Sequence, residues 1–136
     1  MVSSISISTV ILLLNSLWDI VSAIAIFFHL SMQRCTWLAN AHIGLWTTEA
    51  DRSNHAAAVV MAALLLQWAF IRLHGALSGP MSDAACSDAS ATYVIEAGLV
   101  AIEVVIGNMH ALSGWVVAAA CVVCWALVLR ECVEGI

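Results

Sequence analysis

Apolar residues gather into four long runs along the chain, and polar residues collect between the runs instead of alternating within them. On a window of about 19 residues the runs fall near 8–31, 55–77, 91–110 and 112–130. Each is long enough to cross a hydrocarbon core of about 30 Å as a helix. Helices are the expected spans because lipid offers no partners to open backbone groups. The predicted fold is therefore all-α: one integral membrane four-helix bundle over residues 1–136. Four crossings place both chain ends on the same side.

The connections differ in kind. Residues 32–54, MQRCTWLANAHIGLWTTEADRSN, form a mixed loop in which Trp37 and Trp46 suit the headgroup layer. Ser53 or Asn54 is placed to cap the second helix. Residues 78–90, SGPMSDAACSDAS, hold the one proline, Pro80, and are expected to form a polar, turn-rich loop. The last connection is short, around Ala111–Gly114, so the final two helices should form a tight antiparallel hairpin. Gly98, Gly107 and Gly114 are expected where helices approach closely.

Composition strengthens the membrane assignment. The 136 residues are 63% hydrophobic and 10% charged, against about 45–50% and about 25% in soluble domains. Mean hydropathy is +1.02. Lysine is absent, and the four basic residues, Arg34, Arg52, Arg72 and Arg130, are scattered in a chain of net charge −5. No basic patch exists for a nucleic acid or for a polybasic membrane-surface contact. The expected partners are other integral membrane proteins and membrane lipids. The arginines divide two and two between the faces, so positive charge does not fix the orientation. The opening MVSSISIST carries no basic residue, unlike a cleaved signal or transit peptide, and the first run is expected to stay as an anchor. Five cysteines, Cys35, Cys86, Cys121, Cys124 and Cys132, do not resemble a secreted disulfide framework and are expected to serve as small hydrophobes.

The candidate chemistry lies in the polar residues inside the runs. Asp19, Arg72, Glu96 and Glu103, with neutral Asn15 and Gln67, interrupt apolar sequence. A charge at mid-membrane costs about 2.5–3.5 kcal/mol on insertion scales, so such groups face the bundle interior and find partners. Glu96, Glu103 and His110 recur at seven-residue spacing, which places them on one helical stripe. Arg72 and Glu96 lie at similar distances from their span ends and are expected to pair. The carboxylates then either bind helices together or line a cavity for a lipid or a proton.

The histidines form no recognised motif, and the one cysteine motif stands in apolar surroundings. His29, His55 and His110 fall near one membrane face, and an alternative haem or metal site there is open, but none has the spacing of a metalloenzyme helix. No metal and no cofactor is expected. Cys121 and Cys124 form a C-x-x-C in the fourth run, an alternative redox pair. Their Val and Ala surroundings do not lower a thiol pKa, so no catalytic residue is assigned. In this motif and in helix count the chain resembles vitamin K epoxide reductases, whose luminal loop carries a further cysteine pair; loop 32–54 holds only Cys35.

A broader resemblance covers roughly residues 68–130. Arg72-Leu73 followed by Ala76, then Thr92-Tyr93-Val94-Ile95, Ala97 and Glu103, then Trp125 before a charged C-terminal stretch are similar to the ergosterol biosynthetic protein 28 family. Residues 61–65, MAALL, and Leu99-Val100 depart from its pattern. The resemblance implies a four-span endoplasmic-reticulum protein that tethers sterol-synthesis enzymes without catalysing a step. Two further classes fit the residues: an accessory subunit of a respiratory or photosynthetic complex, in the mitochondrial inner membrane or thylakoid, and a thiol redox enzyme using Cys121 and Cys124.

Overall fold

The computed structural model describes residues 6–32, 55–78 and 83–134. They form four helices: α1 (Ile7–Met32), α2 (His55–Leu77), α3 (Asp83–Val105) and α4 (Ala111–Glu134). No strand occurs among the described residues, so the fold is all-α. Three helices, α1, α2 and α4, are long and apolar enough to cross a membrane. The expected interfacial loop with Trp37, Trp46 and Cys35, the caps Ser53 and Asn54, and Pro80 lie outside the described residues.

Three boundaries differ from the sequence reading by a turn or more, the two at α3 most of all, while α4 runs on to Glu134. Residues 83–90 are helix, not loop. Their hydropathy is low because the segment is amphipathic: Ala85, Cys86, Ala89 and Ser90 are buried while Ser87 and Asp88 face outward. Alanine favours helix, and the Ser90 hydroxyl bonds back to the Ser87 carbonyl at 3.0 Å. At its other end α3 stops at Val105, five residues earlier than the apolar run suggested. Gly107 takes φ 84°, a left-handed conformation that costs a side-chain-bearing residue energy. Its N–H bonds the Val104 carbonyl at 3.1 Å and the Asn108 N–H bonds the Glu103 carbonyl at 2.9 Å. This is a Schellman stop. Gly107 thus ends a helix and is not a point of helix–helix contact.

α1 packs chiefly on α2, and α3 on α4, as two antiparallel hairpins; α2 meets α3, and α1 touches α4 more sparingly. The interior is rich in alanine, including Ala23, Ala62, Ala69 and Ala89, which lets helix backbones approach. At the end bearing Ile7, Leu77, Asp83 and Glu134, one core joins all four helices through Leu12, Ala76, Cys86, Ala89, Tyr93 and Val128. Toward the other end the core divides. Ala23, Ile26, Ala58, Ala62 and Trp68 fill the α1–α2 hairpin, and Val100, Val104, Met109 and Ala118 fill the α3–α4 hairpin.

Gly114 is a genuine close approach: a Cβ there would run into the Val104 side chain. Gly98 is not, having no neighbour within 4 Å of an added Cβ. Gly75, not singled out from sequence, does pack tightly; its Cβ would meet that of Ala89 at 3.1 Å. Gly114→Ala is therefore expected to cost about 1–3 kcal/mol by overpacking. Gly98→Ala should be neutral or stabilise by up to about 1 kcal/mol through reduced chain entropy. Thermal unfolding in detergent compares the two, and equal effects would refute the packing assignment.

The joined end is tied by polar contacts. The Ser6 hydroxyl caps α1 by accepting the Thr9 N–H at 3.1 Å. Glu131, in the last turn of α4, accepts the Ser8 N–H at 3.0 Å and the Ser8 hydroxyl. A carboxylate at a helix N-terminus satisfies an orphan donor and opposes the positive end of the dipole. Glu131→Ala should lower stability by about 1 kcal/mol, and Ser8→Ala/Glu131→Ala should cost no more than Glu131→Ala. Additive losses in chemical denaturation would show that the two side chains do not interact.

Candidate functional site

Arg72 is the centre of the interior. It is 1% exposed and is the largest fully buried side chain among the described residues. Side chains on a helix lean toward its N-terminus, which for α2 lies away from the joined end. Arg72 therefore reaches inward along the bundle. Its Nη1 donates to Asp19 Oδ2 at 2.7 Å and its Nη2 to Glu96 Oε2 at 2.5 Å. Its Nε donates to Thr92 Oγ1 at 3.0 Å, and that hydroxyl donates onward to the Ala89 carbonyl at 2.7 Å. The guanidinium carbon sits 4.0 Å from the Tyr93 ring centroid and 5.8 Å from that of Trp68. Such stacking adds to the ion pairs because the ring face is electronegative.

Three helices thus converge on one cation. Asp19 lies about 18 Å into α1 and Glu96 about 20 Å into α3, at about 1.5 Å per residue. The two carboxylates are level with each other. A start of α3 near 91 would put Glu96 only about 8 Å into its helix, at about 1.5 Å per residue, and out of level with Asp19. The extra helical turns at 83–90 remove that mismatch, and Asp19 emerges as the more buried partner, its side chain 3% exposed against 18% for Glu96. Asn15 extends the network: its Nδ2 donates to Tyr93 Oη at 3.0 Å and to the Ile11 carbonyl at 2.9 Å.

The other singled-out residues part company from this cluster. His110 lies in the α3–α4 connection, exposed, so it does not continue the Glu96–Glu103 stripe. Its carbonyl instead accepts the Gly114 N–H at the start of α4, at 2.9 Å. Glu103 is half-buried, and its carboxylate accepts the Asn108 Nδ2 at 2.9 Å. That bond braces the hairpin connection and does not tie separate helices across the interior. The side chains of His29 and His55 lie outside the described residues. Among the described residues no three His, Cys, Asp or Glu side chains gather into a metal-binding group.

Cys121 is buried and Cys124 half-buried, and both are free thiols. Cys121 adjoins Glu96, and Cys124 adjoins Asn15. Cys86 and Cys132 are different: they form a disulfide between the first turn of α3 and the last turn of α4, with Cα atoms 6.1 Å apart. That separation is ordinary for a disulfide. The small-hydrophobe reading fails for these two. The hydropathy pattern places Cys86 in a loop, whereas the early start of α3 brings it level with Cys132.

A cavity of about 460 Å³ opens between the two hairpins, beyond the Arg72 cluster. Asp19, Arg72, Tyr93 and Glu96 form its polar end, and Met61, Leu64, Val116 and Val117 contribute to its apolar walls. Glu103, Cys121 and Cys124 also border it. The arrangement can hold helices in fixed register and can receive a small amphipathic group. Comparisons with family models, with curated proteins and with solved structures gave no match.

Proposed function

We propose that this chain is a four-span integral membrane protein that acts without catalysis, as a scaffold or tether for membrane enzymes of sterol or other lipid biosynthesis, in the endoplasmic reticulum. The membrane half of the reading is supported by the inside-out distribution of side chains, and the lipid-biosynthesis half by the resemblance over roughly residues 68–130. Large apolar groups face outward on every helix, among them Leu14, Leu17, Phe70, Ile102, Leu112 and Val123. The interior charges meanwhile are engaged with one another around Arg72. A soluble protein does not expose such a belt, whereas lipid and partner helices would cover it. The apolar outer face of α3, with Val94, Ile95, Leu99 and Ile102, supports its place as the fourth span. The disulfide fits a chain with one face in an oxidising lumen.

The redox alternative loses support from geometry. Exchange between the Cys121/Cys124 pair and the disulfide requires sulfur-to-sulfur contact. Cys124 and Cys132 are separated by about 12 Å along one helix, at about 1.5 Å per residue. The accessory-subunit alternative is favoured equally by the outward apolar belt, and the test separates it. The tagged protein is extracted in mild detergent and its stoichiometric partners are identified by mass spectrometry. Sterol-synthesis or other lipid-synthesis enzymes are expected. Respiratory or photosynthetic subunits in their place would overturn the scaffold reading in favour of the accessory subunit.

A further inference from the structure

We propose that the cavity between the hairpins is a binding site for a membrane-dissolved lipid with a small hydrogen-bond-donating head, a hydroxyl or an amine, and without phosphate or carboxylate. The proposal is independent of the scaffold role.

The division of the core makes the site. All four helices share one core at the disulfide end, then each hairpin packs on itself. The space between is therefore bounded by the apolar flanks of two hairpins and closed at its inner end by the Arg72 cluster. From Met61 to Arg72 the lining runs about 16 Å along α2, at about 1.5 Å per residue. The volume of about 460 Å³ falls within the range of about 300–1,000 Å³ common to small-molecule sites. Mostly apolar walls with a few convergent polar groups are also the usual composition of such sites.

The head chemistry follows from counting donors and acceptors at the polar end. The one guanidinium already donates to Asp19, Glu96 and Thr92 and is stacked on Tyr93. Two carboxylates face that one cation, and Glu103 adds a third carboxylate on the wall. A phosphate or carboxylate head would meet surplus negative charge and, among the described residues, no uncommitted cation. A hydroxyl or amine would instead find carboxylate oxygens able to accept, since each oxygen offers more than one lone pair. Charged groups in a low-dielectric setting discriminate strongly against like charge.

The full-length protein in lipid nanodiscs is photolabelled with a diazirine-bearing long-chain alcohol, the matching amine and the matching carboxylic acid. Labelled peptides are then mapped by mass spectrometry. The alcohol and amine should label the cavity-facing segments of α2 and α4, with at least about tenfold preference over the acid. Unlabelled long-chain alcohol should compete. Ala120→Trp, which projects an indole into the cavity, should abolish this labelling while the unfolding midpoint is held. Val117→Trp serves where Ala120→Trp fails to fold. Equal labelling by the acid, label spread evenly over outward helix faces, or labelling insensitive to competitor would each overturn the proposal.

Discussion

Arg72→Leu is expected to be among the most damaging single substitutions in the chain, lowering stability by about 3 kcal/mol or more. An arginine near the end of a span can snorkel toward the headgroups, which would reduce the effect. The structure removes that escape: the side chain points inward, is 1% exposed, and every nitrogen of its fork is engaged. Removing it leaves two carboxylates unpaired, whereas removing either carboxylate leaves the guanidinium one remaining ionic partner. The carboxylates should rank by burial. Asp19→Leu should cost about 2–3 kcal/mol. Glu96→Leu should cost about 1–2 kcal/mol, the range found for polar contacts between model membrane helices, because its side chain is 18% exposed at the cavity. Arg72→Leu/Glu96→Leu should lose less than the sum of its parts. The triple change Asp19→Leu/Arg72→Leu/Glu96→Leu should recover much of the Arg72→Leu loss, because a buried ion cluster replaced whole by apolar side chains is often neutral or better. Double-mutant cycles from chemical denaturation in detergent measure these couplings. Strict additivity across the three positions would show that the cluster does not act as a unit.

The cluster was partly legible in advance, and the reason for the missing part is physical. Charged residues inside apolar runs announce themselves because their burial needs a partner, so Asp19, Arg72, Glu96 and Glu103 could each be singled out. Which of them meet depends on helix register. A hydropathy window of about 19 residues averages over about five turns, so it passes over an amphipathic helical start such as 83–90 and runs through a glycine stop such as Gly107. Those two errors shifted α3 toward its C-terminal end. They hid that Asp19 and Glu96 are level, attached His110 to a stripe it does not share, and put Cys86 in a loop. The turn chemistry that corrects the second error was present in Gly107-Asn108, a helix-stop pair, and the alanine spacing at 84, 85 and 89 pointed to the first. Ser8–Glu131 joins residues far apart in the chain, and neither residue belongs to a motif.

Replacing Cys86 or Cys132 with serine should lower stability by about 2–4 kcal/mol. The bond closes a span of 46 residues, for which chain entropy in a soluble protein predicts about 4 kcal/mol. The lower half of the range is expected in a bilayer, where two inserted helices joined by a short connection already have little freedom. Dithiothreitol should lower the unfolding midpoint of the wild-type protein by the same amount as Cys86→Ser does, and should not lower that of Cys86→Ser further. The bond also carries orientation, which the evenly divided arginines do not. Structural disulfides persist in oxidising compartments and are rare where thiols are kept reduced. The face with the start of α3 and the end of α4 also carries Ser8, since Glu131 bonds it there. On the reading proposed above, four spans in the endoplasmic reticulum, this whole face is expected on the luminal side. In sealed vesicles with the cytosolic side outward, a membrane-impermeant maleimide should label neither Cys86 nor Cys132, before or after a permeant reductant. Both should become reactive only once the membrane is opened and the bond reduced. A protease site placed after Ile136 should be protected in the same vesicles. Cleavage there without detergent, together with free reactive Cys132, would place this end in a reducing compartment and refute both the disulfide and the orientation drawn from it.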